Sequence, residues 1–205
     1  MEIIMKKPEL LVPASSLEVL KIACVFGADA VYIGGESFGL RAKAKNFTKD
    51  DMREGIAFAH ERNVKVYVTA NILAHNDDIE EAYDYFRQMN EVKPDAFIIS
   101  DPGLFSIAKE VCPDIDIHIS TQANNTNYQT YKFWWDLGAK RVVSARELSL
   151  NEIKGIRENI PDDMEIEDIT PIQFPANDKE ATWHSTHFEF HDFSDNLLKF
   201  DILLF

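Results

Sequence analysis

The sequence predicts an α/β fold, namely a TIM-barrel-like (β/α) repeat whose incomplete barrel has about seven parallel strands. Short apolar runs begin near positions 9, 30, 64, 96, 115, 141 and 164, and helical patterns separate them. Such regular alternation favours a (β/α)8-type barrel over an open sheet. No Gly-x-Gly-x-x-Gly fingerprint follows the first run, which counts against a dinucleotide-binding fold.

Each apolar run has the length and composition of a buried strand. Several of them alternate only weakly, as expected for strands that are covered on both faces. The predicted strands cover residues 9–12, 30–33, 64–69, 96–100, 115–119, 141–143 and 164–167. A parallel sheet of this kind places the carboxyl ends of its strands at one rim, where ligands bind in such folds.

Capping residues mark where the intervening helices begin. The predicted N-caps are Ser15 or Ser16, Thr48, Asp101 and Ser149. Thr48 with Asp51, and Ser149 with Glu152, have the spacing of a capping box, and Pro102 suits the first helical position. Gly27, Asn63 and Gly138 provide the left-handed conformation that commonly ends a helix.

The amino-acid composition limits the classes of protein to which the chain can belong. The chain has 205 residues with 45% hydrophobic and 27% charged residues, which indicates one globular domain with a substantial core. A net charge of -14 argues against broad, non-specific binding to nucleic acid or membranes, but leaves a local basic site open. Two lone cysteines indicate a reducing compartment, and neither a signal peptide nor an apolar run of ~20 residues is present. We therefore expect a cytoplasmic protein.

Polar and charged residues follow the predicted strands and define a candidate ligand site. The expected ligand-binding residues are Gly34, Gly35, Arg41, Asn71, Ser120, Thr121, Gln122 and Arg146. The candidate catalytic groups are His75, Asp101 and Glu147. Because guanidinium groups match carboxylate and phosphate geometry and amides orient such groups, this rim predicts a small anionic ligand.

Each candidate also has a purely structural interpretation. Asp101 suits a helix cap better than a catalytic acid, Arg146 and Glu147 can form a rim ion pair, and His75 can be a solvated loop histidine. His118 alternates with apolar neighbours and is expected to be a core histidine with satisfied hydrogen bonds. The Arg41, Lys43 and Lys45 cluster can be a solvated loop. No Ser/His/Asp set, Cys/His set or zinc motif supports proteolysis, and no metal ligands are expected.

Several ordered motifs in residues 8 to 167 resemble one known family. They are residues 9–14 (ELLVPA), 27–35 (GADAVYIGG), 38–47 (FGLRAKAKNF), 100–103 (SDPG), 120–124 (STQAN) and 145–149 (ARELS). This set resembles peptidase family U32, the collagenase-like proteases. The resemblance implies a TIM-barrel-like N-terminal region and a hydrolase label.

Some members of that family are similar to oxygen-independent hydroxylases of tRNA or rRNA pyrimidines or of ubiquinone precursors. The resemblance therefore also implies an RNA or protein substrate, an iron–sulfur cluster and, for RNA hydroxylation, a dicarboxylate such as prephenate. The family continues after the seventh strand with a His-Gly-Ala-Met-Cys type motif and further cysteines, which this chain lacks. Neither Cys24 nor Cys112 matches a cluster ligand, so no cofactor is expected in this chain.

Residues 168–205 differ from the family pattern and are expected to form a divergent tail after a barrel region of residues 1–167. His187, Glu189 and His191 alternate with Phe188 and Phe190, which favours an added strand over a metal site. A truncated gene product is an alternative origin of the tail. Two functions follow: a U32-type enzyme without its cluster-binding half, or a non-catalytic binding subunit that another chain or an oligomer completes.

Overall fold

A computed structural model describes residues 9–35, 37–39 and 47–167, together with the backbone of two strands at 186–191 and 197–204. The strands are β1 (Leu10–Ala14), β2 (Ala30–Gly34), β3 (Lys65–Ala70), β4 (Ala96–Ile99), β5 (Asp116–Ile119), β6 (Arg141–Val143), β7 (Glu165–Glu167), β8 (Thr186–His191) and β9 (Leu197–Leu204). The helices are α1 (Leu17–Val25), α2 (Lys49–His60), α3 (Ile79–Val92), α4 (Pro102–Val111), α5 (Tyr128–Asp136) and α6 (Leu150–Arg157).

The first seven strands are parallel and pair in chain order, from β1 beside β2 to β6 beside β7. This arrangement confirms the predicted incomplete barrel of seven parallel strands. At the other edge, β9 runs antiparallel to β1, and β8 pairs with β9. The predicted strand in the tail therefore has a counterpart in β8, whereas the orientation predicted for Phe188 and Phe190 lies outside the described residues.

Alternation along each strand separates two apolar clusters. On β3, Val66 and Val68 belong to the large core between sheet and helices, whereas Tyr67 points to the opposite face. There it joins a smaller cluster inside the curled sheet with residues of β1, β2 and β4. Both faces of the sheet are therefore covered, which explains the weak alternation of the sequence.

Local signals start the helices where the sequence predicts them. Thr48 and Asp51 form a reciprocal capping box on α2, and Ser149 forms the same motif on α6. The Asp101 carboxylate accepts a hydrogen bond of 2.9 Å from the Leu104 amide at the start of α4. Ser16, rather than Ser15, caps α1. These caps fix the loops that leave the carboxyl ends of the strands.

A buried ionic network fills the amino end of the curled sheet. The Arg141 guanidinium lies 2.8 Å from a Glu9 carboxylate oxygen, 2.6 Å from Glu165 and 3.4 Å from Glu167. The Tyr67 hydroxyl donates to Glu9 at 3.0 Å. Because Glu9 precedes β1 and Arg141 begins β6, this contact joins distant strands across the interior of the sheet.

His118 is buried beside this network, as the sequence predicts, with its ring 4.6 Å from that of Tyr67. Among the described residues, its Nδ1 atom has no hydrogen-bond partner. The expectation that all of its hydrogen bonds are satisfied is therefore not met. Burial, together with the nearby cations Arg141, Lys65 and Lys140, holds the His118 pKa well below its usual value. The folded protein therefore favours the neutral imidazole.

Candidate functional site

Polar side chains from three neighbouring strand ends meet at the carboxyl rim of the sheet. Asn71 follows β3, Ser100 follows β4 and Ser120 follows β5. The Ser100 hydroxyl donates to the Asn71 carbonyl at 3.1 Å, and the Asn71 amide donates to the Ser120 hydroxyl at 3.4 Å. Two of the predicted ligand-binding residues, Asn71 and Ser120, are therefore in direct contact.

Asn125 ties the ends of β5 and β6 together. Its side-chain amide donates to the Ser120 carbonyl at 3.0 Å and to the Val143 carbonyl at 2.9 Å. The residue is fully buried, and no described group donates to its Oδ1 atom. Asn124, which has a φ of 55°, precedes Asn125 at the end of the short turn after β5. This left-handed residue is the local signal for the turn.

Ser144 continues the same polar surface beyond β6 and was not among the predicted site residues. It is fully buried, its hydroxyl lies 2.8 Å from the Tyr131 hydroxyl, and its carbonyl accepts a hydrogen bond of 3.0 Å from Thr121. The signal that identifies it is the same as for Ser120, since each is the polar residue directly after a buried strand.

The charged rim residues stand outside this buried layer. Gln122, Arg146 and Glu147 are all exposed, and no ion pair between Arg146 and Glu147 occurs among the described contacts. The rim ion pair considered from the sequence is therefore not formed. These groups remain accessible to a ligand above the buried amides and hydroxyls.

Two candidate catalytic residues begin helical turns. Asp101 caps α4, as the structural interpretation of the sequence predicts. His75 is exposed, and its backbone amide donates to the Asp78 carboxylate at 2.7 Å at the start of a short 3-10 turn. The third candidate, Glu147, is on the exposed turn beside Arg146.

The glycines at the end of β2 lie against the segment that returns to α2. The Gly34 carbonyl accepts a hydrogen bond of 3.1 Å from the Phe47 amide, and Gly35 forms a parallel bridge with Phe47. Arg41, Lys43 and Lys45 lie outside the described residues, so the predicted pairing of Arg41 with Arg146 over one cavity stays a prediction.

The two cysteines do not fit an iron–sulfur cluster. Cys24 is buried on α1, whereas the buried Cys112 follows α4 and donates to the Phe86 carbonyl at 3.1 Å. Burial raises the pKa of both thiols, that of Cys112 to about 11, so the thiol form is favoured in the metal-free protein. Within the described part of the chain, no three His, Cys, Asp or Glu side chains are grouped to hold a metal ion.

The rim therefore combines fixed neutral hydrogen-bonding groups with exposed charged ones. Such a surface can bind and orient a polar or anionic ligand, because the buried groups are held by their neighbours and Arg146 supplies a positive charge. None of the helices in the described residues combines the length and apolarity needed to span a membrane.

Comparisons with known proteins agree with this fold. The tRNA hydroxylation protein P1 of Bacillus subtilis is 44% identical over 165 residues, which are 80% of this chain and 39% of that protein. The 23S rRNA 5-hydroxycytidine C2501 synthase of Escherichia coli is 38% identical over 150 residues, which are 73% of this chain and 22% of that protein. A solved U32 peptidase structure covers 82% of this chain and 70% of its own, with a TM-score of 0.67 and 16% identity.

The chain spans about two fifths or less of the length of these two curated relatives. The solved structure supports the fold alone, since its sequence identity is low. The sequence matches the family called peptidase family U32 over residues 15–169, which is most of the described barrel. The chain therefore belongs to peptidase family U32.

Proposed function

We propose that this chain is the barrel part of a U32-family RNA hydroxylation protein that acts on pyrimidines of tRNA or rRNA. The observation that carries the proposal is the 44% identity with a tRNA hydroxylation protein across 80% of the chain. The matched region includes the strand ends that form the polar rim. A tRNA or rRNA substrate also implies a cytoplasmic location, which is part of the proposal.

The proposed role of the rim is to bind a small dicarboxylate such as prephenate. Arg146 is exposed beside the buried amides and hydroxyls, and Arg41 follows β2 in the sequence. Two guanidinium groups over one opening repel each other unless an anion lies between them. The same groups match the two carboxylates of such a ligand.

We further propose that this chain does not itself hold the iron–sulfur cluster of the family. The burial of Cys24 and Cys112 at two separate helices supports this proposal. Redox chemistry would then depend on residues supplied by another chain. A non-catalytic partner subunit is accordingly the second candidate function.

A chimera tests the RNA hydroxylation proposal. Residues 9–167 would replace the matching part of the E. coli tRNA hydroxylation protein P, which is 44% identical over 163 residues. In a strain lacking that protein, we expect the chimera to restore hydroxylated pyrimidines in tRNA, measured by mass spectrometry of nucleosides. The chain alone should not restore them.

Failure of a stably folded chimera would contradict the RNA hydroxylation proposal. Restoration by the chain alone would instead contradict the proposal that a second chain is needed. Cleavage of gelatin by the purified chain, absent from a mock purification, would favour the peptidase label of the family over RNA hydroxylation.

Calorimetric titration of prephenate into the chain tests the rim. A charge-assisted hydrogen bond contributes about 1.5–3 kcal/mol, so Arg146→Ala and Arg41→Ala should each weaken binding about ten- to a hundred-fold. Arg53→Ala is the matched control, because Arg53 is exposed on α2 and pairs with Asp50. No binding by wild type, or unchanged affinity in both rim variants, would show that the rim is not the anion site.

A further inference from the structure

The inner face of the curled sheet is buried towards the amino ends of the strands and partly exposed towards their carboxyl ends. Tyr67 and Ala96 lie on this face near the buried ionic network, and both are buried. Because side chains alternate along a strand, Thr69 and Ser100 continue the same face towards the rim, and Tyr32 packs beside them. Each of these three residues keeps part of its surface exposed. A ligand at the rim can therefore reach this part of the inner face.

Two hydroxyl groups at this opening have their protons committed to the main chain. Ser100 donates to the Asn71 carbonyl at 3.1 Å, and Thr121 donates to the Ser144 carbonyl at 3.0 Å. A carbonyl oxygen only accepts hydrogen bonds, so the direction of both bonds is fixed. In the part of the chain that the structure describes, no group donates to either hydroxyl oxygen. Ser100 and Thr121 therefore present only acceptor lone pairs to a ligand.

Thr69 repeats this pattern on the neighbouring strand. It lies on β3 beside β4, and its hydroxyl donates to the Ile33 carbonyl at 3.2 Å. The hydroxyls of Ser120 and Ser144, by contrast, belong to buried residues. The partly exposed hydroxyl residues of the opening therefore share one property, which is that each has given its proton to a main-chain carbonyl.

A surface that only accepts hydrogen bonds discriminates between ligand groups. A hydroxyl of the ligand can donate to it, whereas an ether, carbonyl or carboxylate oxygen would bring two sets of lone pairs together. Carboxylates would therefore turn towards Arg146, which is exposed on the turn after β6. The same guanidinium repels an ammonium group, so a neutral hydroxyl is the donor that this opening favours.

We propose that Ser100 and Thr121 select the rim ligand by a hydroxyl group, so that the rim binds a hydroxylated dicarboxylate in preference to the same dicarboxylate without the hydroxyl. The ligand hydroxyl donates to the two side-chain oxygens, and its carboxylates face the arginine side of the rim. This inference rests on the anion site proposed above and names the chemical feature that this site recognises.

Three four-carbon dicarboxylates test the selection by calorimetric titration of the full chain. L-malate carries a hydroxyl, succinate lacks it, and 2-methoxysuccinate keeps the oxygen but has no proton to donate. Malate should bind about two- to tenfold more tightly than succinate, as for one hydrogen bond, and 2-methoxysuccinate should bind most weakly. Equal binding of malate and succinate, tighter binding of 2-methoxysuccinate than malate, or no saturable binding of malate would overturn the proposal.

Substitutions assign the selection to the two hydroxyls. Thr121→Val and Ser100→Ala should each lower the preference for malate over succinate and leave the succinate affinity unchanged. Thr121→Ser keeps the hydroxyl and should retain the preference, and Thr130→Val, on α5, is the matched control. An unchanged preference in both Thr121→Val and Ser100→Ala would overturn the assignment. Equal weakening of both ligands would also overturn it, because that result indicates a structural role only.

The outcomes separate this inference from the proposals on which it rests. Malate and succinate that bind equally, with both affinities reduced in Arg146→Ala, would overturn the hydroxyl selection and leave the anion site intact. Absence of binding by prephenate and by all three probes would overturn both the selection and the anion site. The chimera reports on RNA hydroxylation independently of either result.

Discussion

Asn125 shows how one amide can hold two strand ends in place. Its two hydrogen bonds reach carbonyl groups on opposite sides of the β5–β6 junction. Neither carbonyl can gain water easily, because Asn125 is fully buried. The polar rim therefore depends on a residue that does not face the opening itself.

Asn125→Ala should lower the free energy of unfolding by about 2–4 kcal/mol, because two buried carbonyls lose their donor. Urea denaturation followed by circular dichroism measures this change. Asn90→Ala, at an exposed position on α3, is the control and should change stability by less than about 0.5 kcal/mol. Equal stability of the two variants would show that the Asn125 amide is not holding the strand ends.

Glu167 predicts a pH dependence of stability. Burial raises its pKa from 4.5 to about 7, although Arg141 opposes the shift. The folded protein then binds this proton more tightly than the unfolded chain, so stability falls as pH rises from about 4.5 to 7. Glu167→Gln should remove this loss, and its stability relative to wild type should therefore rise between pH 5 and pH 8 in urea titrations.

His118 acts in the opposite direction in the same titration. Because the His118 pKa is lower in the folded protein, the unfolded chain binds this proton more tightly. The contribution of His118 to stability is therefore fully present above its ordinary pKa of 6.5 and is lost as pH falls below that value. This contribution is common to wild type and Glu167→Gln and cancels in their difference. Glu158→Gln, at an exposed position, should show no such change with pH. A flat difference for Glu167→Gln would contradict the raised pKa.

At the scale of helices and strands, the sequence predicted the features that depend on residues close to each other in the chain. All seven parallel strands begin within one residue of their predicted starts, and Thr48, Asp101 and Ser149 cap the helices as expected. Strand runs and caps depend on residues close in sequence. The contact of Asn125 with β6 and the orphaned Tyr85 hydroxyl depend on packing between distant segments, so spacing alone could not reveal them.

Residues 168–205 also show that pairing between distant segments cannot be predicted from local patterns. Alternation in residues 186–193 predicts a strand, and β8 covers 186–191. The pairing of β9 with β1 joins Leu204 to Leu10, and no short-range pattern specifies that partner. The assignment of residues 168–205 as a separate divergent tail stays a prediction.

Deletion of residues 168–205 should cause aggregation or a marked loss of thermal stability. The deletion removes β9 and leaves the β1 edge with unpaired backbone groups, which pair readily with other chains. Light scattering and thermal unfolding measure the two effects. Leu203→Pro, which removes a backbone donor opposite Leu11, should reproduce part of the loss. A deletion variant that is monomeric and as stable as wild type would contradict this prediction.

At the scale of the whole molecule, Arg141 connects segments at both ends of the parallel sheet. It is 7% exposed and lies between Glu9, Glu165 and Glu167. A buried ion pair adds little net stability compared with apolar packing, but the loss of one partner leaves charges uncompensated. This guanidinium therefore links β1, β6 and β7 through its carboxylate partners.

Arg141→Met should lower the free energy of unfolding by about 3–5 kcal/mol, as for breaking a buried ion pair. Adding Glu165→Gln should recover part of this loss, because it removes one of the carboxylates that Arg141→Met leaves without its cationic partner. Arg53→Met, on the exposed face of α2, is the control for loss of a surface arginine. Additive effects of the Arg141 and Glu165 substitutions in urea titrations would contradict the network.

The order of the strands also determines how the chain can fold. From β1 to β7, each strand pairs with the next one along the chain, so every βα unit can add to a sheet that already exists. The β1–β9 ladder instead closes a loop between Leu10 and Leu204, and closing so long a loop costs more chain entropy. During synthesis, the β1 edge therefore stays unpaired by β9 until Leu204 has left the ribosome. That interval is when another chain has its best opportunity to pair with this edge.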